Sequence, residues 1–258
     1  MAFALPLLLL LSGSFREAGL PPPPTPELIP DPADPGNYAR AIELGGLLRA
    51  TVNSVVVVLF AVPLSVLVAS WAGFAMSRVS RGLARAMVAM SLLALMVPLT
   101  ALLVPRFAIF RSLGLTDTLV PLVAPALIAT SPFYVLVFFV AFRSLPADLY
   151  DVCRLEDVSP LRTWWKVAMP LVRPVTVAVA ALSFVLTWSS FLEPLVYVYD
   201  RGLFTLPLAL RSLSTLDVSD YPLFLAGSVL ASIPALALFG VAQRKFLHQY
   251  RGPGWLGR

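Results

Sequence analysis

The stretch LPADLYDVCRLEDVSPLRTWWKVAMPLVRP, residues 145–174, decides how this chain folds. It is polar and mixed in charge, yet it lies between long apolar runs. Its internal order predicts two short helices joined by a turn. Asp148 and Asp151 follow Pro146, where carboxylates suit the positive end of a helix and proline costs least. Ser159 and Pro160 form an N-cap and first-turn pair that opens a second helix, which Pro170 is expected to end. A polar segment in such surroundings reads as a handle for a soluble partner; the alternative is a merely solvated connector.

The rest of the chain is suited to lipid. Hydrophobic residues make up 59% and charged residues 13%, against about 25% charged in soluble domains, and the mean hydropathy is +0.85. The single cysteine, Cys153, excludes an internal disulfide and a cysteine zinc cluster. The net charge of +5 does not mark a nucleic-acid binder, because the arginines gather at the ends of apolar runs without interleaved aromatics. No G-x-x-x-x-G-K-[ST] occurs, so this chain cannot cradle ATP by itself and no cofactor is expected in it. His248 lies past the last apolar run beside Arg244 and Lys245 and is not read as catalytic.

Five apolar runs have the ~20 residues a bilayer requires: 52–76, 86–110, 119–142, 174–198 and 222–242. A sixth, 1–11, lacks a basic n-region and is read as a short or truncated first span. The expected fold is therefore an all-α membrane protein of about six helices, forming one domain over 1–258, with the polar loop at 143–173. Summed over alternate loops, Lys and Arg number 12 on one side and 7 on the other. The positive-inside rule then makes the polar loop and both termini cytoplasmic. The outer segment 20–37 is dense in proline; it reads as a stiff spacer, with a partner-binding motif as the alternative.

Within the order Pro146-Ala-Asp-Leu-Tyr-Asp-Val-Cys-Arg-Leu-Glu-Asp-Val-Ser159, then Trp164 and Met169-Pro-Leu-Val-Arg-Pro174, the loop resembles the EAA loop of permease subunits of bacterial ABC importers. The nearest likeness is to the maltose-type carbohydrate permeases. Other pieces fall in register with that family: Asn37-Tyr38, Asn53-Ser54, Met96-Val-Pro98, Leu113-Gly-Leu-Thr-Asp117, Trp188-Ser-Ser-Phe-Leu-Glu-Pro194, Thr205-Leu-Pro207, Ile233-Pro-Ala235 and Gln243-Arg244. The departures are Asp151-Val152-Cys153 for E-A-A, Asp157 for the turn glycine, Ser189 for asparagine, and the tail Gly252–Gly257. Asp tolerates the left-handed conformation next best after Asn, so the turn can survive.

The resemblance implies a bacterial inner-membrane, multi-pass subunit with no catalytic or metal-binding residues of its own. Its partners would be a second permease, two ATP-binding subunits holding ATP and Mg, and an extracytoplasmic solute-binding protein that delivers a sugar. In the family the first short helix of the loop docks on the ATPase. Carried over, Asp148, Tyr150, Asp151, Arg154, Glu156 and Asp157 would present polar groups there. Leu149, Val152 and Leu155 would fill the cleft or pack on the permease, and Ser159 would cap the next helix.

A tentative substrate path comes from the residues themselves. Glu193 is an acid inside an apolar run, which suggests function unless it reaches outer water near Tyr197 and Tyr199. Trp188, Ser189 and Ser190, below it, suit a sugar or serve helix packing. Prolines 98, 105, 121, 125 and 132 are expected to kink helices around a central path. The rival readings are an importer of another polar solute, such as glycerol-phosphate or polyamine, and a proton-coupled transporter, for which paired intramembrane acids or histidines are missing. An intramembrane enzyme lacks its Ser/His, G-x-S-x-G and H-E-x-x-H signatures.

Overall fold

The computed structural model describes residues 5–23, 28–128 and 130–249, with side chains as far as residue 240 in the last helix. The expectations for His248, for Gln243-Arg244 and for the tail 252–257 concern groups outside these. Among the described residues there is no strand, only one isolated bridge between Arg16 and Ala33. In order, the helices are α1 (Leu5–Ser14), α2 (Gly36–Gly45), α3 (Leu47–Arg78), α4 (Arg81–Leu95), α5 (Leu99–Ser112), α6 (Val120–Ile128) and α7 (Pro132–Arg143). They continue with α8 (Ala147–Leu155), α9 (Pro160–Leu171), α10 (Arg173–Trp188), α11 (Leu192–Tyr197), α12 (Leu206–Ser214) and α13 (Tyr221–Gln249).

Three helical stretches are long and apolar enough to cross a bilayer: Leu47–Arg78, Val120–Arg143 and Val218–Gly240. Two bent pairs raise the number to five: α4 with α5, bent by 89°, and α9 with α10, bent by 86°. α1 packs on α13 and, at 10 described residues, falls short of a full span. The accessible surface is 16253 Å², where a compact soluble chain of this mass would expose about 11,000 Å². Much of the surplus is Leu, Val, Ile and Phe turned outward, as a lipid-facing bundle requires.

Three expected boundaries are corrected. The run 174–198 is not one helix: α10 stops at Trp188 and α11 starts at Leu192. Pro194 has no N–H to offer the Ser190 carbonyl, so an α-helical ladder cannot run through this point. Pro170 does not end the loop's second helix either. The chain runs through it to Leu171 and breaks at Val172 (φ −97°, ψ 19°), after a π-register turn over Thr163–Ala168. That wider turn sits just where Pro170 removes a helix donor. The expected run 86–110 is broken at Met96–Pro98, where Pro98 (ψ 133°) turns the backbone out of the helix.

α3 is the axis of the bundle. At Gly73 a Cβ would lie 2.7 Å from Phe138 Cβ and 2.8 Å from the Val135 carbonyl oxygen, so only glycine lets α3 and α7 meet this closely. Around that crossing Phe74, Tyr134, Phe138, Phe142, Tyr150 and Trp164 form one buried core. The opposite end is stitched by polar side chains. Asn53 Nδ2 donates to the carbonyls of Gly202 (2.9 Å) and Phe204 (3.0 Å), and Ser54 Oγ accepts from the Leu206 amide at 2.8 Å. Asp117, at φ 60°, accepts from the Tyr199 and Asp200 amides, both at 2.8 Å. Those bonds, the Asp200 amide first, hold its carboxyl below the ordinary range. Several residues that carried the family resemblance thus close the backbone at this end.

Candidate coupling loop and membrane path

The loop at 143–173 is built from its N-terminus by the rules its residues suggest. Pro146 (ψ 136°) precedes α8, and Asp148 stands in the first turn. The helix ends in a Schellman arrangement: the Val158 amide bonds the Cys153 carbonyl (2.9 Å) and the Asp157 amide the Arg154 carbonyl (3.1 Å). Asp157 takes φ 49°, the left-handed residue the turn needs. Ser159 Oγ then accepts from the Arg162 amide at 3.4 Å, capping α9 with Pro160 in its first turn. These local features agree with the sequence reading.

The amphipathic split of α8 differs from the expected one in one residue. Tyr150 is not presented outward. It is 4% exposed, its hydroxyl donates to the Phe142 carbonyl at 3.0 Å, and the Arg78 guanidinium lies 4.0 Å from its ring centroid. Burial pushes its hydroxyl's pKa up, and Arg78 partly opposes this. Tyr150 and buried Cys153 therefore anchor α8 to α3 and α7. Leu149 is half-buried, while Val152 and Leu155 are 57% and 84% exposed. Asp148, Asp151, Arg154, Glu156, Asp157 and Ser159 are also exposed, with Asp151 and Arg154 paired at 3.6 Å. An apolar pair ringed by charges is the composition of a docking face.

The turn itself gives a direct test. A left-handed non-glycine residue costs roughly 1 kcal/mol or more. Asp157→Gly is therefore expected to raise or leave unchanged the thermal midpoint of the purified protein, and Asp157→Val to lower it. Circular dichroism melts of the two variants measure this.

The tentative path residues are only partly brought together. Trp188 is 6% exposed, stacks on Phe184 (ring centroids 5.6 Å apart) and donates through Nε1 to the Ala231 carbonyl at 3.0 Å. Its ring is thus committed to packing α10 on α13, and no aromatic face is left for a solute. Ser189 is exposed and returns its hydroxyl to the Val185 carbonyl (2.7 Å). Ser190 Oγ lies 3.2 Å from Glu193 Oε2, and Glu193 Oε1 lies 3.6 Å from Arg106 Nη1. Arg106 stands inside α5, opposite α11. The available signal was an arginine and a glutamate each within an apolar run, since such charges seek each other.

Among the described residues no cluster of His, Cys, Asp and Glu could hold a metal ion. Residues 61–247 match the family described as binding-protein-dependent transport system inner membrane component. The chain belongs to that family. It is an ABC transporter permease, a multi-pass protein of the inner membrane.

The permease is 32% identical over 195 residues to the arabinooligosaccharides transport system permease protein of Halalkalibacterium halodurans, covering 76% of this chain and 69% of that one. It is 28% identical to the lactose transport system permease protein of Rhizobium radiobacter (78% and 72% covered) and to the trehalose transport system permease protein of Mycobacterium tuberculosis (86% and 81%). Its fold superposes with a TM-score of 0.79 on a bacterial ABC transporter involved in alginate import, at 20% identity over 95% of this chain and 91% of that one.

Proposed function

We propose that this permease is one transmembrane half of an ATP-driven importer for a carbohydrate, with the whole chain, 1–258, forming a single permease domain. The named relatives carry oligosaccharides and disaccharides, which supports sugar over glycerol-phosphate or polyamine. The observation that carries the coupling role is the exposed pair Val152 and Leu155 on a short polar helix anchored from below by Tyr150. In this reading α8 faces the cytoplasm, as do both termini. It docks on one of two ATPase subunits, which hold the ATP and Mg. A second permease completes the path, and an extracytoplasmic binding protein delivers the sugar.

The chain itself performs no bond chemistry; it converts a push into a change of access. When the ATPases close on ATP, they move α8. Tyr150 links α8 to Phe142 of α7 by a hydrogen bond and to Arg78 of α3 by its ring, within a core that also holds Phe74. A packed core transmits strain rather than absorbing it. Displacement of α8 therefore tilts α3 and α7 together and opens the path on the opposite side.

Reconstitution tests the assignment. In proteoliposomes with its second permease, ATPase and binding protein, the complex is expected to take up sugar only with ATP, and this chain alone is expected to hydrolyse none. Cysteine placed at 157 should react with maleimide only from the ATPase side. Uptake without the ATPase, or labelling of 157 from the binding-protein side, would overturn the reading.

A further inference from the structure

We propose that the groove between α4 and α7 is a binding site for an anionic glycerophospholipid. The inference needs only that the chain is embedded in a membrane, and it does not depend on the cargo. The open groove offers about 520 Å³ and is lined by Arg81, Arg85 and Arg143 together with Ala84, Val88, Ala89, Leu92 and Phe139. That volume lies within the range of small-ligand clefts.

Its polarity runs along one axis. Arg81 opens α4 directly after α3 ends at Arg78, and Arg143 closes α7 directly before α8, so both lie at the loop end of the bundle. Arg85 follows Arg81 by one turn on the same face, and Phe139 precedes Arg143 by one turn. Leu92 stands 11 residues beyond Arg81, about 16 Å further along α4 at the α-helical rise. Three guanidinium groups therefore crown a channel that becomes wholly apolar with depth. A free phosphate would satisfy the crown but not the depth, and a fatty tail alone would satisfy the depth but not the crown. A lipid with a negative headgroup fits both.

The charges await a partner. No acidic side chain lines the groove. Arg143 leans over the Phe139 ring at 5.6 Å, and the described ion pairs of the chain involve Arg40, Arg106 and Arg154 instead. Like charges gathered without an acid repel one another, and an anion relieves this. The N-terminus of α4, capped by Ser80, adds its partial positive charge beside Arg81. The rest of α4 is a hydrocarbon-facing surface: Leu83, Met90, Leu92 and Leu93 are 53–69% exposed. Basic pockets between helices at a membrane surface are sites where anionic headgroups collect.

The test uses the full chain purified in neutral detergent, with phosphatidylglycerol and phosphatidylcholine of identical acyl chains as probes. Native mass spectrometry is expected to show selective retention of phosphatidylglycerol, and the melting midpoint is expected to rise with that lipid alone. Joint replacement Arg81→Gln, Arg85→Gln and Arg143→Gln should weaken retention by about 100-fold. Ala89→Trp keeps all three charges but fills the groove, and it should also abolish retention. This second variant separates a site from diffuse charge attraction, and it avoids depending on the folding of the triple variant. Equal retention of both lipids would overturn the proposal. So would an unchanged lipid preference in Ala89→Trp, an equal rise in midpoint with inorganic phosphate alone, or an Ala89→Cys cross-link to the second permease in the assembled complex.

Discussion

Leu155→Asp is expected to release the ATPase subunit docked on α8 while the membrane bundle stays intact. Leu155 is 84% exposed, so its replacement removes nothing from the chain's own core. The cost falls on the docked state alone, where a charge would sit in what should be an apolar cleft. Central apolar anchors of an interface are worth 2 kcal/mol or more, about 30-fold in affinity. Val152→Asp, one turn away and 57% exposed, should act in the same way. Asp151→Lys should do less, because its pair with Arg154 is exposed on both sides and such pairs are worth about 0–1 kcal/mol. Co-purification of the ATPase with each variant, together with sugar-stimulated ATP hydrolysis, reads the ranking. Full co-purification of the ATPase with Leu155→Asp would sink the assignment of α8 as the docking helix.

The loop was legible because its structure is set locally. A proline before a helix, a serine-proline cap and an aspartate at a left-handed turn need no tertiary information, and each stands where the sequence placed it. The spans were legible through length and hydropathy and the bend at Pro98 through its proline, but the break before Pro194 and the passage through Pro170 were not. A helix passes a proline when its neighbours or a widened turn re-satisfy the freed carbonyl, as before Pro170, and breaks when they do not, as at Pro98 and before Pro194. Composition does not distinguish the two cases. The orientation of Tyr150, and the choice between sugar and packing for Trp188, were not legible for a related reason. An amphipathic aromatic can present its polar tip outward or satisfy it on a neighbouring carbonyl, and only packing decides. Both satisfy it inward, on Phe142 and Ala231.

Removing either member of the Arg106–Glu193 pair is expected to depress sugar uptake by about tenfold, with the second change costing little more. The pair joins two short helices that no unbroken span carries, α5 behind the bend at Pro98 and α11 behind the break at Ser189–Phe191. Its side chains are 20% and 32% exposed and lie 3.6 Å apart. Breaking a fully buried pair costs about 3–5 kcal/mol, and an exposed one below 1 kcal/mol. Partial exposure places this pair between those limits, near 1.5 kcal/mol, which is about tenfold. Arg106→Leu leaves the Glu193 carboxylate with Ser190 as its remaining partner, and Glu193→Gln leaves a cation inside α5. The double variant should therefore transport no worse than either single one, giving a coupling energy above 1 kcal/mol in the cycle. Reversing the pair with Arg106→Glu and Glu193→Arg separates a strut from a solute contact. Recovered uptake identifies a strut that holds α5 against α11. Normal membrane abundance without uptake identifies Glu193 as a group that meets the sugar. Uptake at the parent level in both single variants would remove the pair from the path altogether.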